Sequence, residues 1–348
     1  MKHLKLKNLL MALVAITALM SCHKDKNDVA PTPTAGIFVL NQGKFGGNNG
    51  TLTYYNYADK ATTADIYASA NGAGLGDTPN DLKVYGSKMY VVVNVSNVVD
   101  VIDPKTAKLI KQISFDKKQP RSVAFYKNNA FVTSYDGTVS VIDTATFAIT
   151  KSITVGRNPE QLVVSNNKLY VANSGGLGAT PDNTVSVIDL TSLTVTKTVN
   201  VILNPVAISA DAYGHVYVIS NGDYNTIMPG ISIIDNTTDA TTSQNTVDVG
   251  YGSPFVVNGD FAYYLSGTGK VVVYNTKIQV ISSANFITDG TTFKAAYGLN
   301  VYSKTGEVFV SDAKDYKSVG TVTAFDKSGK TEYTVTTGIT PSNIVFLN

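Results

Sequence analysis

The sequence predicts an all-β fold, a seven-bladed β-propeller of four-stranded blades closed by the C-terminal strand pairing into the first blade. Three observations predict it. An aromatic-rich apolar strand, a polar loop and a second strand ending in Val-Ile-Asp or a close variant recur seven times. A proline opens most of the short strands that lead into these units, at Pro79, Pro120, Pro159, Pro205, Pro254 and Pro341, with Tyr297 in the equivalent place, at intervals of 39 to 49 residues. The first unit has no leading strand of its own, and the chain ends in a spare one running from Pro341 to Asn348. Units too small to bury their own apolar faces must stack, and joining the last to the first hides both open edges.

Residues 1–21 read as a signal peptide. Lys2, Lys5 and Lys7 precede an apolar stretch, Leu9 to Met20, that is too short to cross a bilayer as a helix. The run Leu19-Met20-Ser21-Cys22 resembles the lipobox of bacterial lipoproteins. The resemblance implies cleavage after Ser21 and lipidation of Cys22, whose several acyl chains would give more than one marginal anchor. Residues 22–35 then form the lipidated cysteine and a polar, proline-punctuated tether. Lys24, Asp25 and Asp28 are similar to the export signals of Bacteroidetes lipoproteins, although a solvated linker explains the same residues. The expected location is the outer membrane, lipid-anchored and facing the cell exterior.

Residues 36–348 are the propeller. In blade 1, Ile37 to Leu40 and Thr51 to Tyr55 are the second and third strands, and an outer strand is expected near Ala64 to Ala68. The second strands of the other blades (Met89 to Val93, Ala130 to Thr133, Leu169 to Ala172, Val216 to Ile219, Ala262 to Leu265 and Val308 to Ser311) lack clean polar alternation. That pattern suits a strand covered on both faces, so these form the core. The third strands end in Asn56, Asp103, Asp143, Asp189, Asp235, Asn275 and Asp326. Turn-forming residues follow most of them, so these side chains are expected to cap backbone N–H groups in Asx turns rather than form a carboxylate ring.

Leu169-Tyr170-Val171-Ala172-Asn173, the strand Asn183 to Asp189, and Thr154-Val155-Gly156 leading into Pro159 carry a further resemblance. On these motifs the chain resembles the YVTN/YncE-like, surface-layer-like seven-bladed propellers over essentially all of its mature length. The motifs belong to the scaffold and say little about activity.

Charge and composition narrow the function. The chain has 28 Lys+Arg against 26 Asp+Glu, and loss of Lys2, Lys5 and Lys7 with the signal peptide leaves 25 against 26. No basic face for nucleic acid is expected. The histidines are His3, His23 and His215, and Cys22 is the single cysteine. This removes cysteine nucleophiles, clustered histidine metal sites and most Ser-His-Asp arrangements. A carboxylate pair stays open, but no local spacing singles one out. Asn221 to Asn225 has the composition of a calcium loop, yet Ser232 stands where an EF-type loop needs a bidentate acid. A turn is the expected reading, and no catalytic residue, cofactor or metal is assigned.

A binding rim is the better expectation. Loops joining second to third strands, and those entering each innermost strand, emerge at one end of a propeller around its axis. The first set places Asn41, Gln42, Phe45, Tyr135, Asn173, Asn221 and Tyr224 there, and the second places Asn80, Arg121, Glu160, Tyr251 and Asn343. Aromatic faces and amides gathered on one rim suit a small-molecule ligand. Gly36 to Gly43 and Leu52 to Tyr55 look like the branch of Bacteroidetes surface lipoproteins that captures cobalamin for a TonB-dependent transporter. That resemblance implies non-enzymatic capture of a corrinoid. The alternatives are a protein-docking or adhesion propeller of the cell envelope, and a propeller lyase or glycosidase.

Overall fold

The computed structural model describes residues 35–176 and 180–347. The expected signal peptide, Cys22, the expected tether up to residue 34 and Asn348 lie outside the described residues. Seven four-stranded antiparallel sheets follow one another along the chain. Blade 2 shows the plan: an inner strand Pro79–Tyr85, then Lys88–Val93, Val98–Ile102 and the outer strand Leu109–Ser114.

The expected closure is present. Pro341–Leu347 is the inner strand of blade 1 and pairs antiparallel with Gly36–Asn41, Ile37 opposite Phe346 and Val39 opposite Ile344. Each second strand is buried on both faces, as its unbroken apolar run requires. In blade 1, Phe38 and Leu40 pack toward blade 2 with Leu82, Met89 and Val91, while Ile37 and Val39 pack toward blade 7 with Phe309, Val322 and Ile344. The twofold repeat of strand side chains makes one strand serve two interblade cores.

All seven strand-ending Asp and Asn side chains accept backbone N–H bonds from the following turn. Asp143 accepts from Ala145 and Thr146, Asp189 from Thr191 and Ser192, and Asp235 from Thr237 and Thr238. Asp103 and Asp326 do the same with Lys105 and Ser328, and Asn56 and Asn275 with Ala58 and Ile278. Asp223, in the calcium-like stretch, caps Asn225, Thr226 and Ile227.

The outer edge of blade 1 differs from expectation. Its fourth strand is only Thr62–Thr63, and Ile66–Asn71 is a short helix. Asp65 accepts the Ala68 N–H at 3.1 Å and caps the start, while Gly72, in the left-handed region, ends it. The helix buries Ile66 and Tyr67 between blades 1 and 2, where the Tyr67 hydroxyl donates to buried Asp100. A cap at Asp65 and a pair of apolar residues with a gap to fill outweigh weak strand propensity.

Candidate functional site

Two repeated backbone devices build one end of the ring. The first is a slip in register at the start of the inner strand, found in six of the seven blades. The residues skipped by the ladder include Asn80, Arg121, Glu160, Val206, Tyr297 and Ser342, and all six line a single cavity at the mouth of the channel. Bulges of this kind re-aim side chains out of the sheet.

The second device lies one residue before five of the six strand-opening prolines, Pro254 being the exception. Thr78, Gln119, Asn158, Asn204 and Thr340 have φ of +54°, +54°, +43°, +63° and +54°, which is uncommon for residues other than glycine. Each turned carbonyl accepts a backbone N–H from the residue just after the second strand of the same blade, at 2.9 to 3.3 Å. Those donors are Asn94, Tyr135, Ser174, Asn221 and Gln42, and every one lines the cavity. The repeat thus mounts five side chains at equivalent stations.

The cavity has a volume of about 370 Å³, at the small end for ligand sites. Arg121 and Glu160 face each other across blades 3 and 4, with Nε and Nη2 at 2.9 and 2.8 Å from Oε2. The Tyr135 hydroxyl donates to Oε1, and the guanidinium stacks 4.7 Å from the Tyr135 ring. Burial works against the Arg121 charge, but the Glu160 carboxylate more than offsets it and holds the group above its ordinary pKa. Burial, with Glu160 behind it, raises Tyr135, and burial pushes Tyr297 up to about 12. These phenols stay neutral hydrogen-bonding groups, Tyr297 donating to Gln42 Oε1 at 3.0 Å. Tyr224, Tyr251 and Phe45 stand largely exposed around the mouth.

Of the expected rim residues, Gln42, Phe45, Asn80, Arg121, Tyr135, Glu160, Asn221, Tyr224, Tyr251 and Asn343 line this cavity together. Asn41 and Asn173 do not, and their placement on the rim is corrected. Both are fully buried and turned into their sheets, donating to Thr51 and Thr53 and to Thr184 and Ser186 respectively. Each is pressed against a glycine of the preceding blade or its connection, Gly338 and Gly156, where a Cβ would fall 2.8 and 2.4 Å from the amide carbon. Sequence reasoning missed Asn94, Gln161, Ser174, Asn204 and Tyr297, all of which line the cavity. The signal was available in register: Asn94 and Ser174 follow second strands as Gln42 does, and Gln161 follows Glu160.

Glu160 is the single carboxylate among the described lining residues. No group of three or more His, Cys, Asp or Glu is placed to hold a metal among the described residues. His215 begins the second strand of blade 5, at the opposite end from Asn221, with Nδ1 2.9 Å from Asp211. A broader groove of about 550 Å³ lies between the outer strands of blades 4 and 5. It is a shallow trough between strand edges, whereas the smaller cavity gathers side chains from all seven blades.

The fold and its mouth define a β-propeller with a ligand-sized polar and aromatic cavity. The chain belongs to the family described as Domain of unknown function (DUF5074), which it matches over residues 35–331. No curated protein matches it. Among solved structures it is similar to a quinonprotein alcohol dehydrogenase-like protein from Bacteroides thetaiotaomicron, with a TM-score of 0.67 and 18% identity over 90% of this chain and 78% of that one. It is also similar to apo AztD from Citrobacter koseri (TM-score 0.56, 15% identity, 90% and 98% covered) and to BamB from Moraxella catarrhalis (0.56, 13%, 90% and 86%). At such identities the likeness is one of fold.

Proposed function

We propose that the protein is a non-enzymatic, lipid-anchored surface protein of the outer membrane that captures a small ligand at the channel mouth, with a corrinoid as ligand and a TonB-dependent transporter as receiver. The observation that carries the reading is convergence: every blade contributes to one cavity ringed by amides and tyrosines. A corrinoid is far too large to enter that cavity. It would lie across the mouth with its apolar face over Phe45, Tyr224 and Tyr251 and a peripheral amide reaching inward. The resemblance of Gly36 to Gly43 and Leu52 to Tyr55 to cobalamin-capturing lipoproteins supports the choice, and the lipobox-like leader supports the anchor.

Titration of the mature protein with cyanocobalamin, followed by absorbance or heat, tests this. Binding at micromolar concentrations or below is expected, weakened at least about tenfold by the double variant Tyr224→Ala, Tyr251→Ala. No binding at micromolar concentrations discards the corrinoid. Docking to an envelope protein is then the better reading, favoured by Ile227, Met228 and Val319, which are 45%, 58% and 51% exposed.

A further inference from the structure

The cavity is chemically two-sided. Around the ring, blades 5, 6, 7 and 1 contribute most of the aromatic rings, Tyr224, Tyr251, Tyr297 and Phe45, alongside uncharged amides, while blades 3 and 4 contribute the charged Arg121–Glu160 pair with the Tyr135 ring against it. On the aromatic side, Tyr224 and Tyr251 have ring centroids 6.0 Å apart and are 61% and 67% exposed, so their faces are open to a ligand.

On the polar side most amide groups are already engaged. Asn80 Nδ2 donates to the Arg121 carbonyl at 2.7 Å, Asn94 Nδ2 to the Pro120 carbonyl at 3.0 Å, and Gln161 Oε1 accepts from the Ile208 N–H. Arg121 is different. Its Nε and Nη2 both approach one oxygen of Glu160, and Tyr135 takes the other. Nη1, with two N–H groups, has no acceptor among the described residues, on a side chain that is 19% exposed and lines the cavity. Arg121 and Glu160 are the only charged side chains among the described lining residues, so the cavity is net neutral.

We propose that this cavity receives an uncharged, flat group bearing a hydrogen-bond acceptor, a carboxamide or similar carbonyl, which lies against the tyrosine side and accepts from Arg121 Nη1, and that it rejects ionised groups. The inference rests on the mouth being a ligand site and not on the ligand being a corrinoid. A carboxylate or phosphate entering here gives up its hydration yet meets a guanidinium whose charge Glu160 already balances. An ammonium group meets a carboxylate with both oxygens occupied. A neutral carbonyl loses less hydration and meets a partly buried donor that has no protein acceptor among the described residues. The cavity volume admits a small ligand with room beyond a single ring, so a ligand as large as a corrinoid inserts only part of itself. Glu160 acts as a positioning residue: it fixes the guanidinium and cancels its charge.

Saturation-transfer NMR with benzamide, benzoate and benzylammonium, on the mature wild-type protein and on Glu160→Gln, tests the proposal. Wild type is expected to bind benzamide at least about tenfold more tightly than either ion. Glu160→Gln, which unmasks the Arg121 charge, is expected to shift the preference to benzoate. Benzoate binding to wild type as well as benzamide does, or a folded Glu160→Gln protein that fails to gain benzoate, overturns the proposal. If the variant does not fold, the wild-type preference alone decides. Cyanocobalamin binding without benzamide binding overturns this inference and leaves the ligand site standing. Failure of cyanocobalamin and of every fragment removes both.

Discussion

Deleting residues 341–348 should remove most of the stability of the ring. The deletion takes the inner strand from blade 1 and uncovers an edge of Gly36–Asn41. Ile344 is fully buried, and burial of such a side chain stabilises by about 2 kcal/mol. Val345, Phe346 and Leu347 are half-buried, at about 1 kcal/mol each, with Phe346 stacked 4.6 Å from Tyr302. Three bridges to neighbouring blades also go: Asn300 Nδ2 to the Ile344 carbonyl, Ser311 Oγ to the Pro341 carbonyl and Asn343 Nδ2 to Asp81. At about 1 kcal/mol per bridge the loss reaches about 8 kcal/mol before the strand ladder is counted. That matches the whole net stability of many domains, about 5–15 kcal/mol. The deleted protein is therefore expected to show no cooperative urea transition, or a melting point lower by more than about 10 °C. A graded variant, Ile344→Ala, should lose about 2–4 kcal/mol, seen as a lower urea midpoint at unchanged slope. An unaltered midpoint in both proteins would refute closure by the C-terminal strand as a source of stability.

Other expectations follow from single contacts. Gly156→Ala places a Cβ 2.4 Å from the buried Asn173 amide and should cost about 1–3 kcal/mol in chemical denaturation, and a neutral result would mean that the Asn173 environment yields freely. At Gln119, with φ of +54°, substitution by Gly should be neutral or stabilising while Ile should cost about 1–2 kcal/mol; equal effects would show that the turned backbone carries no strain. Burial pushes Tyr90, Tyr264, Tyr274 and Tyr297 up to about 12, from 10.0. The folded state then holds more protons than the unfolded one between those values, so their contribution is complete below pH 10 and is lost as pH rises toward 12. Absorbance at the tyrosinate band should show exposed phenols ionising first and the buried set only as the circular dichroism signal collapses. Full ionisation near pH 10 with the fold intact would contradict this.

What the sequence revealed followed from how local each feature is. Second strands, Asx turns and the spare C-terminal strand are written in contiguous residues, so their repetition sufficed. The helix at Ile66–Asn71 escaped because it answers to a gap between two blades rather than to its own pattern. Asn41 and Asn173 end strands next to the rim, and only the side a strand terminus faces separates them from Gln42 and Ser174, one residue on. Alternation sets that side, and a one-residue misplacement reverses it. The register slips that aim Arg121 and Glu160 inward start at a proline, whereas the slip that aims Tyr297 inward starts at Ala296 and has no such mark.

The left-handed joint before five of the strand-opening prolines separates holding from recognising. Because main-chain groups make the bond that seats Gln42, Asn94, Tyr135, Ser174 and Asn221, the station does not depend on the side chain it carries, except that the Ser174 hydroxyl adds a second bond to the Asn158 carbonyl. Related chains can therefore exchange one of the five without disturbing the other four, and the same seven sheets can come to accept chemically unrelated guests through a handful of point changes.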